Sequence, residues 1–558
     1  MDPKKPRANS ITDCVRKFAM LTSVRGIGRI LKAQNMFWKV VWVISCIAFL
    51  SFTISQVVIN VQLFLRFSTK QVQSINKSAN VPFPSLTLCS NGPLRIRKDT
   101  YANMAAVNTG SAKSGGALQQ RKFTNPVQYF NFLKNVSSST DMEDKFGMSE
   151  SIWEEHTETF TGLFQNMDIS KLDKLGVLQD VFVTECRYKY FLRDDVKMEK
   201  CDKIRKIHHP LYLNCFTLDF DEVKGIISKV ELALNYDMDA AASNLSEMMD
   251  SIKTPSPTVV ALIHPLHTLP FLSEVIEIDM GKMVEIRTET IHWFLQKMPF
   301  GNCVDNSSFV TDIEGGPFVL SYSLCMSICY QKRTITNCGC MDPFLPRIQE
   351  ARTIPFCGSV KNLTVMAERL KCLDRERAGH AIVGVRNCAC PHQCSYYEYT
   401  AKGEKTTWPL KGSYKYAYDN YAKPFFKRYP ESYDQFLYNK QTTNSSPATK
   451  VEAIPDDPAL YNWMHLNLVK ITLSKGDDRA LEITEVPVMT LTQLLSAVGG
   501  ALSFCLGITV VSVVEVFELV YDLIRVSFRR FSGPRNGDGI CAPSVQDVSM
   551  KPSRLTKY

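Results

Sequence analysis

The sequence predicts an α+β membrane protein with two transmembrane helices flanking a large disulfide-rich extracellular domain. Three observations predict it. Two long segments carry no charge, Val40 to Leu65 and Val486 to Val514. Fourteen of the 18 cysteines lie between them, from Cys89 to Cys394. The same stretch holds the N-x-[ST] sequons, at Asn76, Asn135, Asn244, Asn306, Asn362 and Asn444.

The first charge-free run is bounded by Lys39 and Arg66. It exceeds the roughly 20 residues that a helix needs to cross a bilayer. The second is bounded by Glu485 and Glu515. As one straight helix it would reach about 43 Å, against a hydrocarbon core of about 30 Å. It must tilt, extend beyond the bilayer or break, and Gly499, Gly500 and Gly507 are the candidate break points.

Orientation follows from the basic flanks. Lys4, Lys5, Arg7, Arg16, Lys17, Arg25, Arg29 and Lys32 precede the first run, against Asp2 and Asp13. Arg525, Arg529, Arg530 and Arg535 follow the second. Both ends are therefore expected in the cytosol and residues 66–485 outside. Cysteines clustered in that middle stretch read as a disulfide framework of an oxidising compartment. Zinc is the competing reading for the close pairs Cys338/Cys340 and Cys388/Cys390, but zinc pairs are usually spaced C-x2-4-C. With 45% apolar residues and a net charge of +9 concentrated near the ends, the chain is neither a dense helical membrane bundle nor a nucleic-acid binder.

Within the middle stretch, Ser85-Leu86-Thr87-Leu88 and Leu466 to Leu473 alternate as strands do. Val259 to Ile263 reads as a buried strand, Ala240 to Ile252 as an amphipathic helix, and Ala102 to Gly116 as a surface loop. Cys303, Cys325, Cys329, Cys338 and Cys340 face Cys357, Cys372, Cys388, Cys390 and Cys394 as an inward-reading series. Nested pairing would staple two antiparallel segments, although the sequence leaves many connectivities open.

The second run carries the chemistry. Thr509, Ser512, Glu515, Glu518 and Asp522 step by three, three, three and four, one stripe of a helix. Hydroxyls leading to carboxylates on an apolar helix suit a cation pathway. The competing reading places the three carboxylates at the cytosolic interface. Two helices cannot enclose a pore, so a pore requires an oligomer. An anchored ectoenzyme or a two-span adhesion or receptor protein is the alternative from another class. His208-His209 and Asp219-Phe220-Asp221 are the nearest to catalytic clusters, and both read as surface residues without nucleophile or metal-ligand spacing.

Several motifs resemble the degenerin/epithelial sodium channel family over most of the chain, and its ligand-gated branch in particular. They are Phe83-Pro84-Ser85-Leu86-Thr87-Leu88-Cys89, Asn214-Cys215-Phe216-Thr217, and Pro299-Phe300-Gly301-Asn302-Cys303. Tyr322 to Cys329 with Cys338-Gly339-Cys340, Cys388 to Cys394, and Leu494 to Gly500 complete the set. Leu213 stands where the family's G-x-C-[YF]-T has glycine.

The resemblance implies a trimer, with two further subunits, of palm, β-ball, knuckle, finger and thumb regions. It implies sodium transport across the plasma membrane, block by amiloride, and neither enzymatic activity nor a cofactor or resident metal. It divides the chain into a cytosolic segment 1–38 and a first helix 39–65. An extracellular domain follows at 66–485, with the finger at about 95–185 and the thumb at about 303–394. The second helix and filter take 486–517, and a cytosolic tail 518–558. The family's filter falls on Gly507-Ile508-Thr509, with threonine where serine is usual, and its lower acidic positions fall on Glu515, Glu518 and Asp522. Its His-Gly gating motif appears as Arg25-Gly26. Its disulfides fall on Cys89–Cys215, Cys186–Cys201, Cys303–Cys394, Cys325–Cys390, Cys329–Cys388, Cys338–Cys372 and Cys340–Cys357.

Ala497 replaces the outer-pore aspartate of acid-sensing members, and the P-P-x-Y tail and furin sites of the epithelial branch are missing. The expected stimulus is therefore an extracellular ligand of the FMRFamide neuropeptide type, with proton gating or a constitutive leak as alternatives. Phe123, Tyr129, Phe130, Phe132, Trp153, Phe160 and Phe164 are candidates for a peptide pocket. Asp219, Asp221, Glu222, Asp237, Asp239, Glu247 and Asp250 are candidates for a proton-sensing cluster.

Overall fold

A computed structural model describes residues 15–16, 18–20, 22, 27–76, 81–91, 123, 126, 128–129, 132, 146–148, 150–157, 160–192, 195–220, 226–236, 257–270, 275–305, 309–310, 313–360, 362–383, 388–430, 432 and 458–531. The chain divides into two compact units, one formed by residues 1–70 and 486–558, the other by residues 71–485.

The helices used below are, in chain order, α1 (Met36–Leu65), α2 (Glu150–Thr157), α3 (Thr161–Asn166), α4 (Tyr322–Cys338), α5 (Leu363–Val383), α6 (Leu491–Leu506) and α7 (Val510–Phe531). The strands are β1 (Thr69–Asn76), β2 (Ser85–Asn91), β3 (Val183–Leu192), β4 (Asp195–Lys200), β5 (Ile204–His209), β6 (Leu213–Leu218), β7 (Ile226–Asn235), β8 (Thr258–His264), β9 (Val275–Asp279), β10 (Lys282–Phe294), β11 (Ser395–Thr407) and β12 (Leu468–Pro487).

In the first unit, α1 is long and apolar enough to cross a membrane. It begins at Met36, three residues before the expected start. α6 packs along α1, and α6 with α7 passes the same length and hydropathy requirement as one bent pair. The second apolar segment departs from a single helix at 486–517. Strand β12 runs on to Pro487, and helix α7 continues to Phe531. Proline ends the ladder because it has no N–H to donate. Gly499 and Gly500 sit inside α6, and the helix ends only at Gly507.

The second unit is built on two sheets. One has the order β11-β10-β12-β7-β3-β4, with β1 also on β12; the other is β5-β6-β2-β8-β9. Leu86, Leu88, Phe216, Val259 and Ile278 of the smaller sheet meet Val230, Leu232, Val284, Ile286 and Ile471 of the larger in one core. Strands β2, β6 and β8 are buried on both faces. On the far face, Thr87 shares hydrogen bonds with Thr217 at 2.7 Å and His264 at 2.9 Å. Antiparallel register sets Cys89 opposite Cys215, which are bonded. Leu466 and Asn467 belong to a helix, Pro458–Asn467, so the strand there starts two residues later than its alternation suggests.

Seven disulfides join all fourteen cysteines of this unit, in the pairs the family resemblance implies. No group of three or more His, Cys, Asp or Glu among the described residues could hold a metal. Cys325 and Cys329, one turn apart on α4, meet Cys390 and Cys388 in reverse order. Gly339 ends α4 with φ of +63° between Cys338 and Cys340. At Gly301 a Cβ would lie 2.1 Å from the Gln296 carbonyl oxygen, so this motif position admits no side chain.

α2 and α3 are locked to the stapled segment. Gln165 Oε1 accepts from the Gly358 N–H at 2.6 Å, and Asn166 Oδ1 from the Val360 N–H at 2.8 Å. Arg377 on α5 bridges Asp342 at 2.8 Å and Glu155 at 2.9 Å.

Candidate functional site

α6 opens with a capping box. Thr490 Oγ1 accepts from the Gln493 N–H at 3.2 Å, and Gln493 Oε1 accepts from the Thr490 N–H at 2.9 Å. It closes at Gly507, whose φ of +68° only glycine adopts without strain. The Ile508 N–H reaches back six residues to the Leu502 carbonyl at 3.2 Å, a left-handed helix stop. Three residues, Gly507-Ile508-Thr509, then separate α6 from α7, and the two axes differ by 74°.

This geometry has two chemical consequences. A helix C-terminus presents carbonyl oxygens that lack helical partners and carries the negative end of the helix dipole. Irregular backbone inside an apolar segment is tolerated where it is covered by protein or lines water. At this break the Ser503 and Leu502 carbonyls accept from the Gly507 and Ile508 N–H groups, and the Thr509 carbonyl accepts from the Val513 N–H at 3.3 Å.

The polar stripe is not uniform. Ser512 is 2% exposed, and its Oγ accepts from the Thr509 N–H at 3.1 Å, capping the start of α7. Thr509 and Glu518 are exposed, while Glu515 and Asp522 are half-buried. Glu515 Oε2 accepts from the Thr22 hydroxyl at 3.0 Å. Sequence reasoning missed Thr22 entirely, since nothing in its local pattern marks it. The capping box at Thr490-x-x-Gln493 is legible in the sequence as a threonine followed three residues later by glutamine. Arg25 and Gly26 lie outside the described residues. Val510, Val511, Val513, Val514 and Phe517 cover the rest of α7 with exposed apolar surface.

The candidate sensing residues resolve differently. Phe123, Tyr129, Trp153 and Phe160 are buried, packed with Met366, Leu370 and Leu373 of α5. Phe132 and Phe164 pack partly buried against the same core. Phe123, Tyr129, Trp153 and Phe160 thus serve as core, while Phe164 also borders a small cavity beside His209 and Phe344; Phe130 lies outside the described residues. Of the acidic candidates only Asp219 is described. It is paired with Arg205 at 3.0 Å and accepts from Ser85 at 2.5 Å. Asp221, Glu222, Asp237, Asp239, Glu247 and Asp250 lie outside the described residues, as does the segment 240–252.

His209 corrects the surface reading: it is 8% exposed and stacked on Tyr212. Burial lowers its pKa to about 3. His208 pairs with Asp173. Among the sequons, Asn76 Nδ2 donates to Glu482 at 2.9 Å, and Asn362 Oδ1 caps α5 by accepting from the Val365 N–H. Asn135, Asn244, Asn306 and Asn444, and the loop 102–116, lie outside the described residues. Cys46 and Cys505 are free thiols.

The sequence signature of the family described as amiloride-sensitive sodium channel matches residues 18–519. The FMRFamide-activated amiloride-sensitive sodium channel of Cornu aspersum is 20% identical over 581 residues, covering 95% of this chain and 86% of that protein. The epithelial sodium channel subunit gamma of Rattus norvegicus is 23% identical over 327 residues, 58% of this chain and 44% of the subunit. That of Pan troglodytes is 20% identical over 546 residues, covering 94% and 82%. With the signature spanning nearly its whole length, the chain belongs to the amiloride-sensitive sodium channel family.

Proposed function

We propose that the chain is one subunit of a trimeric, sodium-selective, amiloride-blocked channel opened by an extracellular ligand, with an FMRFamide-type peptide the first choice. The observation that carries the pore is the break at Gly507-Ile508-Thr509 between two apolar helices, with Glu515, Glu518 and Asp522 below it. Carbonyls and a hydroxyl replace part of the hydration shell, and carboxylates select the sign of the ion. Two spans cannot surround an ion, so the stripe must face a symmetry axis shared by three copies or by related subunits.

The peptide assignment draws on the FMRFamide-activated relative, which aligns over most of both chains. Basic flanks support cytosolic termini for a channel in the plasma membrane, with 1–38 and 518–558 inside and 66–485 outside. Asn76 and Asn362 are the described candidates for glycosylation on the outer side.

Voltage-clamp recording from cells expressing the chain alone tests this. An inward sodium current evoked by FMRFamide and blocked by amiloride is the expected result. Current on acidification alone would replace the peptide with protons, and steady amiloride-sensitive current without either would make it a leak channel. Surface expression without cation current would remove the homomeric pore.

A further inference from the structure

A cavity of about 480 Å³ opens in the unit of residues 71–485, where edge strand β11 passes the start of α4 and the turn after β8. That is the volume of a small-molecule site. Its wall is aromatic and already ordered. Tyr322 and His392 stack at 4.0 Å with planes 7° apart, and His392 stacks on Tyr396 at 6.1 Å. Tyr397 lies against His292 at 4.2 Å, and Tyr396 lies against Trp293 with planes 9° apart. Rings held in place before a ligand arrives lower the ordering cost of binding.

The charge in the wall has one sign. Glu398 is its single acidic residue, and neither lysine nor arginine lines it. The Trp293 Nε1–H donates to Glu398 Oε2 at 2.8 Å and fixes the carboxylate. Among the described residues Glu398 has no ion-pair partner. His392 does not supply the missing cation near neutral pH. Burial lowers its pKa, against the weaker opposing pull of Glu485.

We propose that this cavity binds a small organic cation, an ammonium or guanidinium head on a short aromatic body. The head sits against Glu398 and the faces of the neighbouring tyrosines, where cation–π attraction adds to the charge pairing. The body packs on Leu266, Leu269 and Val319. The site stands apart from segment 507–509 in sequence and does not depend on the channel reading.

The test uses the full chain in detergent and 2-phenylethylamine bearing an aryl azide. After photolysis, mass spectrometry is expected to find the label on Tyr322 or within residues 392–399. Excess 2-phenylethylamine is expected to suppress it, while 2-phenylethanol, with the same body and no charge, is not. Glu398→Gln keeps an acceptor for Trp293, so the wall is retained, and is expected to weaken protection about tenfold. Glu404→Gln, on the same strand but outside the cavity, is expected to change nothing. Absent labelling, labelling confined to 491–531, equal protection by the alcohol, or undiminished protection in the Glu398 variant would each overturn the proposal.

Discussion

Thr22 and Glu515 stand 493 residues apart in sequence, and the threonine hydroxyl donates to the Glu515 carboxylate at 3.0 Å. An ionisable side chain in an apolar helix is costly unless a polar partner meets it. Here the segment before α1 supplies one. Glu515→Gln is expected to lower unitary cation conductance by removing the charge. Thr22→Val is expected to have a smaller effect, because it removes one donor and leaves the carboxylate. Both act through a shared contact, so the double variant is expected to match Glu515→Gln alone. Additive losses in single-channel recordings would show that the two residues act separately.

Gly507 is where the backbone requires glycine. An L-residue at its left-handed φ of +68° costs about 1–2 kcal/mol, and relief of that strain would shift the carbonyls of 507–509. Gly507→Ala is therefore expected to change the sodium-to-potassium reversal potential or abolish current. Gly499→Ala is the control: that residue is helical and an added Cβ meets nothing within 4 Å. An unchanged reversal potential in Gly507→Ala with normal current would place the filter at Glu515 and Glu518.

Much of this was legible in the sequence because it rests on local or compositional rules. Freedom from charge marked α1, α6 and the first turn of α7. Burial on both faces made Val259 to Ile263 a continuous apolar run, and cysteine spacing along α4 anticipated nested bonds. What escaped depends on tertiary neighbours. Gly499 and Gly500 look like break points, but a helix tolerates glycine and only Gly507 adopts a left-handed angle. The aromatics of 123–164 look like a binding surface until α5 is seen to cover them. The aromatic cavity at β11 could not be read at all, since Tyr322, Trp293 and Glu398 come together only across strands and a helix.

Leu213 is the departure from the family motif with the clearest physical signature. It replaces glycine, and its φ is +58°, yet its side chain is 3% exposed in the core shared with α5. Two effects oppose. Backbone strain costs about 1–2 kcal/mol, while loss of a buried leucine costs about 2–5 kcal/mol. Both Leu213→Ala and Leu213→Gly are expected to destabilise. The order discriminates: at an ordinary strand position glycine is the worse of the two, but here it relieves the strain that alanine retains. Denaturant unfolding is expected to find Leu213→Gly more stable than Leu213→Ala by about 1 kcal/mol. The reverse order would mean the left-handed angle carries little strain.

Three buried histidines give the unit of residues 71–485 a specific acid response. Burial lowers the pKa of His156 to about 4, of His209 to about 3 and of His264 to about 4. Each is neutral in the fold and titrates near 6.5 when unfolded. Their contribution is fully present above about pH 6.5 and is lost as pH falls toward the folded values, because the unfolded state takes up protons that the folded state refuses. Glu231, held low first by its hydrogen bond from Lys229, contributes in a more acidic window, below the usual carboxylate pKa. Stability is therefore expected to be flat above pH 6.5 and to fall between pH 6 and 4.5 by about 1.4 kcal/mol per pH unit for each histidine. Unfolding followed by tryptophan fluorescence across this range measures the slope. His156→Gln is expected to remove about a third of it, since that ring no longer titrates. A stability that stays level to pH 5 would mean the three rings are accessible to protons in the folded protein.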